Sequence, residues 1–160
     1  METWLGEAFE AIILLREITE ELFGHLIHDS EAHSGLRILI HITKDTIDHL
    51  RPHIEKFGEN QARGKHTAHL LRDALFPKSD PDKLPAQLQV LEALRSLQVY
   101  LAHLRVGLDA LNPVSQAMWD GDFFDAVIYA IAQVKRMQGW VTEQIKVMAP
   151  QALLVPCKVE

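Results

Sequence analysis

The sequence predicts an all-α fold, an antiparallel bundle of four long helices with one additional short helix. Three observations carry that expectation. Apolar residues recur at alternating threes and fours over most of the 160 residues, the period of a helix laid along other helices. Strand-like alternation is nearly absent. The breaks fall where Pro, Gly and Asp gather, and they divide the chain into segments of helical length.

The first helix is expected from Thr3, as its cap, to about His28, with Leu5, Ala8, Ile12, Leu15, Thr19, Leu22 and Leu26 as its seam. Asp29 and Ser30 are the next caps. The second seam is Leu36, Ile40, Thr43, Ile47, Leu50, Ile54 and Phe57, and Gly58 fits its stop. Pro52 lies inside that helix, opposite the seam, where water can satisfy the carbonyl it frees. A short third helix spans about Asn60 to Phe76. The segment 77–85, with three prolines and alternating charges, reads as a surface loop joining two helical hairpins.

The fourth helix is expected from Pro85 to about Leu111, seamed by Val90, Leu94, Leu97, Leu101, Leu104, Leu108 and Leu111. Asn112-Pro113 should end it. Asp122 should cap the last helix, whose seam is Phe124, Val127, Ile131, Val134, Gln138, Val141, Ile145 and Met148, with Pro150 as its stop. Residues 1–150 form one domain in this reading, since either half alone would expose its seam. Residues 151–160 form a tail in which Leu153, Leu154 and Val155 are exposed unless they dock.

Composition narrows function by exclusion. Apolar residues are 48% and charged residues 24%, as in ordinary globular domains, and a chain this long builds a core without staples. The net charge of -6 argues against nucleic acid and anionic membranes as partners. The single cysteine, Cys157, can form no internal disulfide and no cysteine-rich metal site. The longest apolar run, Ala11 to Leu15, is too short to span a bilayer, and no signal peptide is read, so a cytoplasmic location is the expectation.

The stretch Ser34 to Phe76 resembles ferritin-like proteins of the YciE/YciF type. The resemblance lies in Asp45-Thr46-x-x-His49-Leu50, then Ile54-Glu55-Lys56-Phe57, then Gly64-Lys65 after a short linker. It implies a ferritin-like bundle, a fold that often holds two metal ions between its helices through inward carboxylates and Glu-x-x-His pairs. This chain contains no Glu-x-x-His or Asp-x-x-His.

Candidate metal ligands face the wrong way for such a site. Glu17, Glu20 and Glu21 lie about 140° to 240° round their helix from the seam, as do His41, Asp45, Asp48 and His49 on theirs. Nine histidines include pairs at helical ligand spacing, His49 with His53, His25 with His28 and His66 with His69, but none has the partnered acids of a di-iron site. Mid-helix seam positions carry Thr19, Thr43 and Gln138, with Gln98 flanking, a polar layer in which hairpin geometry would set Thr19 beside Thr43 and Gln98 beside Gln138. Ser34 and Ser115 sit near helix starts, where capping explains them.

Outward apolar residues point to association instead. Tyr129, Trp140 and Val147 cluster about 120° to 140° from the last seam, a candidate interface unless the third helix or the tail covers it. Val99 and Val106 flank His103 on the outside of the fourth helix. The expectation is therefore a ferritin-like bundle without a complete di-iron site, non-enzymatic, without cofactor, acting through protein contacts or as a homodimer. The alternatives are an iron-handling protein with an atypical site, and an apolar-ligand binder using space around Thr19, Thr43 and Gln138.

Overall fold

The computed structural model of the chain describes residues 1–25, 30–57, 61–76 and 86–154. Over these the protein forms five helices and no strand: α1 (Glu2–His25), α2 (Ser30–Phe57), α3 (Gln61–Leu75), α4 (Ala86–Ala117) and α5 (Gly121–Leu154). Asp29, Gly58, the loop 77–85, Leu26, His28 and residues 155–160 lie outside the described residues, so the roles expected of them do too.

Cross-helix pairs set the topology. Phe23 stacks on His33 across the α1/α2 hairpin, with ring centroids 3.7 Å apart. Tyr100 bonds the Ala11 carbonyl at 3.0 Å and His103 meets Glu7 at 3.0 Å, so α4 runs antiparallel to α1. Lys56 meets Asp120 and His49 meets Tyr129, so α5 runs antiparallel to α2. Helices α1, α2, α5 and α4 thus close a ring, with α2 and α4 parallel to each other and joined by a crossover that contains α3. Helix α3 lies along α1 and also touches α4. Gly64 permits that approach: a Cβ there would collide with the backbone of Glu7 and of Thr3.

The core follows the expected seams of α1 and α4, except that Val90 is only half-buried. Leu5, Ala8, Ile12, Leu15, Thr19 and Leu22 are buried, as are Leu94, Leu97, Leu101, Leu104, Leu108 and Leu111. Helix α5 is rotated from its expected seam. Its buried residues are Phe123, Ala126, Val127, Ala130, Gln133, Val134, Met137, Val141 and Ala152, whereas Phe124, Ile131, Gln138, Ile145 and Met148 are only half-buried. Small residues at 126 and 130 let a neighbouring helix approach closely, and they turn the helix toward themselves.

Four helix boundaries differ from expectation. The Met1 carbonyl accepts the first α1 bond, from the Leu5 amide at 3.0 Å, so Thr3 sits inside the helix rather than capping it. Helix α4 continues through Pro113 to Ala117, and α5 continues through Pro150 to Leu154. Both prolines are exposed, so the carbonyls they free can face water, while Ser115 and Ala152 beyond them are buried and hold the helices on course. The cap of α5 is Asp120, not Asp122: its Oδ1 accepts the Phe123 amide at 3.1 Å and its Oδ2 accepts Lys56 Nζ at 2.7 Å. Those two bonds, the lysine first, hold the Asp120 carboxyl below its usual range. Just before it, Trp119 occupies the left-handed region at φ 54°, a conformation usually left to glycine, with its side chain 95% exposed.

Candidate functional site

The residues expected to form an inward polar layer do not converge. Thr19 donates to the Leu15 and Arg16 carbonyls, both at 2.9 Å, and Thr43 donates to the Ile40 carbonyl at 2.9 Å. Each hydroxyl is thereby turned back on its own helix, the ordinary way to bury a threonine. Thr46, which the seam pattern does not single out, does the same with Ile42 at 2.8 Å. Gln98 Nε2 donates to Thr142 Oγ1 at 3.2 Å, while Thr142 donates to the Gln138 carbonyl at 2.8 Å. The α4/α5 polar contact therefore runs through Thr142, one turn beyond Gln138, and leaves Gln98 Oε1 buried without a partner.

Acidic and histidine side chains spread along outer faces. Glu17, Glu20, Glu21, His41, Asp48 and His49 are exposed and Asp45 is half-buried. Of the histidines at helical spacing, His49, His53 and His69 meet aromatic rings or an acid. His49 stacks on Tyr129 at 4.1 Å and donates from Nδ1 to the Asp45 carbonyl at 2.7 Å. His53 is buried, tilted against Phe123 at 5.2 Å. His69 reaches Glu10, and His66 is exposed. Among the described residues no group of three or more His, Cys, Asp or Glu is arranged to hold a metal ion. The donors present do not fit a di-iron group: the space between the helices is filled by leucine, isoleucine and valine.

One carboxylate is buried where none was expected. Glu10 on α1 accepts from His69 Nε2 of α3 at 3.1 Å and lies 3.9 Å from Lys65 Nζ. Two helical positions of α3 thus tie it to α1. Beside it, Tyr100 donates to the Ala11 carbonyl. Burial first, and the Glu10 charge second, push the Tyr100 phenol far above its ordinary 10.0. The arrangement is a structural lock: a charge that would be costly alone is matched by two cationic or protonatable groups.

The aromatic part of the expected interface is closed by the chain itself. Tyr129 is covered by the His49 ring, and Trp140 lies over Gly35, where any Cβ would strike the indole. Helix α2 packs against both residues, which are half-buried, and Val147 is exposed at 59%.

An open apolar surface lies on α4. Val99 and Val106 are exposed at 47% and 65%, and Ala102 between them is exposed too. A groove of about 240 Å³ opens beside them between α1 and α4, with Ala8, Ala11 and Gly107 in its lining. Trp4, 51% exposed, forms its other side, and the Glu7–His103 pair joins the two helices across it. Sequence periodicity placed Val99 and Val106 outward but missed Trp4, which sits beside a seam leucine in the first turn. Only the antiparallel register of α1 and α4 brings it next to Val106. Beyond these, Met1, Ile38, Leu70 and Ile128 are exposed, as are the adjacent Leu153 and Leu154 at the end of α5.

No protein-family model matches the chain, and neither curated proteins nor solved structures give a significant match. Among the described residues, no helix is long and apolar enough to cross a membrane.

Proposed function

We propose that this chain is a ferritin-like bundle protein without a complete di-iron site, and that it works through protein contacts made by the outer face of α4 and the adjoining α1/α4 groove. The observation that carries the reading is the exposed apolar row Val99, Ala102 and Val106 on α4, with Val106 and the exposed Trp4 lining the groove. Scattered exposed apolar residues are normal, but a patch that borders a groove and includes a tryptophan has the composition of a contact site. The single crossover between parallel α2 and α4 supports the ferritin-like part, since that connection distinguishes such bundles from up-down ones. The inward Thr19 and Thr43 and the outward Glu17, Glu20, Glu21 and Asp48 support the reading without a complete di-iron site.

The test is photocrosslinking in living cells from a benzophenone amino acid placed at Val106, with the same group at the exposed Lys146 of α5 as control. A discrete adduct with a polypeptide at Val106 and not at Lys146 is expected. Equal labelling at the two positions, or none at either, would remove the proposal. Iron at about two per chain in protein purified without a histidine tag would shift the reading to the iron-handling alternative.

A further inference from the structure

We propose that the occupant of this face is a second copy of the chain, docked with its own α4 antiparallel about a two-fold axis at Ala102, so that Arg95 of each copy meets Asp109 of the other. The inference rests on the contact reading above and names its partner.

The exposed face of α4 carries Arg95, Val99, Ala102, Val106 and Asp109, at successive steps of four, three, four and three. That is the spacing of a single seam along which two helices can pack. The seam is self-complementary. Two helices antiparallel about residue 102 align positions whose numbers sum to 204. Ala102 then meets Ala102, and Val99 lies beside Val106 of the second copy. Arg95 and Asp109, each seven residues from the axis, meet as opposite charges at both ends. Isologous contacts require this property, because one patch must serve both partners. A parallel pairing would instead set Arg95 against Arg95 and Asp109 against Asp109.

The side chains are free to make these contacts. Among the described residues, Arg95 pairs with Glu92 of its own helix at 3.3 Å, and Asp109 with Arg105 of its own helix at 2.8 Å. Exposed pairs within one helix are weak and exchange readily. Alanine at the axis lets the backbones approach closely, and the groove beside Val106 gives the facing Val99 space to enter. The seam from Arg95 to Asp109 is about 21 Å long. One helix pair of that length is smaller than a standard interface, so the dimer is expected in the micromolar range and to weaken with salt.

Sedimentation equilibrium of the purified chain, from micromolar to millimolar concentration, tests this. The wild type should dimerise reversibly, and Val106→Glu should be monomeric with an unchanged far-ultraviolet circular dichroism spectrum. Arg95→Glu and Asp109→Arg should each weaken the dimer about tenfold, since each removes both symmetric pairs. The double variant should recover most of the wild-type affinity. A wild type that stays monomeric at millimolar concentration overturns the proposal. So does a dimer indifferent to Val106→Glu, or a double variant as weak as the singles, because the face or the register is then different. A crosslinked adduct between Val106 and a different polypeptide, with a monomeric purified chain, would retire the second copy while leaving the contact reading in place.

Discussion

Helices α4 and α5 both carry apolar residues on the side away from their leucine and valine seams, yet the aromatic ones on α5 are packed against α2 while the valines on α4 stay open. On α5, Tyr129 and Trp140 are taken up by α2, which offers a histidine ring at 49 and a bare backbone at Gly35. On α4, Val99 and Val106 are exposed, and among the described residues α3 packs chiefly along α1. The difference teaches that the angle of a residue around its helix says where it points, and the neighbour decides what it meets. A glycine on the facing helix is the mark of an outward aromatic that folds back into its own chain. Small residues around an outward valine, by contrast, leave a groove open on the surface.

The largest expected effect calibrates the comparison from the closed side of α4. Leu101→Ala should lower the free energy of unfolding by about 2–5 kcal/mol, the usual cost of emptying a core leucine site. Urea denaturation followed by circular dichroism measures it, and a loss below about 1 kcal/mol would mean that the leucine face is not the core face.

Next in size is Trp140→Glu. If α2 covers this side of α5, the variant loses a packed ring and brings a charge against Gly35. A loss of about 2–4 kcal/mol in the same experiment follows, with any dimer dissociating only as the fold is lost. A stable, well-folded monomer would show the reverse, that Trp140 faces a partner and α2 does not close over it.

Tyr100 tests the flank of α4 that α1 seals. Tyr100→Phe should cost about 0.5–1.5 kcal/mol through the lost bond to Ala11. The wild type should also show a pH dependence that the variant lacks. Because the folded phenol is held above its ordinary 10.0, the fold retains a proton that the unfolded chain releases. The stabilisation is complete below that value and is lost as the pH rises above it. Denaturation curves from pH 9 to 11 should therefore converge for the two proteins, and parallel curves would mean that Tyr100 is open to water.

How much of this was legible follows from the side chains involved. The seams of α1 and α4 could be read because large aliphatic residues occupy them almost without interruption, as from Leu94 to Leu111. The face of α5 was misplaced because Ala126, Ala130 and Gln133 carry little hydrophobic signal, while the larger Phe124 and Ile131 beside them carry more. Pro113 and Pro150 were read as stops because sequence shows the missing amide and not the water beyond it. Glu10 could not be identified as buried, since its partner His69 is 59 residues away and the crossover must fold first. Thr19 and Thr43 are buried without a shared bond for a local reason: a threonine can satisfy itself within its own helix and needs no companion.

The smallest effect on stability is the one that separates the two faces most sharply. Val106→Glu introduces the same side chain as Trp140→Glu, also on an outward position, and should change the free energy of unfolding by no more than about 0.5 kcal/mol. The reason is that Val106 is 65% exposed, so little apolar area is buried in the isolated chain and little desolvation opposes the carboxylate. Association should respond in the opposite sense. A charge beside Ala102 and the groove must be stripped of water if a second α4 docks there, so the variant that costs the fold least should cost the contact most. Measuring both quantities on both variants gives four numbers, and the expected pattern is crossed: Trp140→Glu large in stability, Val106→Glu large in association. If Val106→Glu instead unfolded the chain and left association intact, the valine would be packed against its own bundle, and the open face would have to be sought elsewhere, with Val147 next in line.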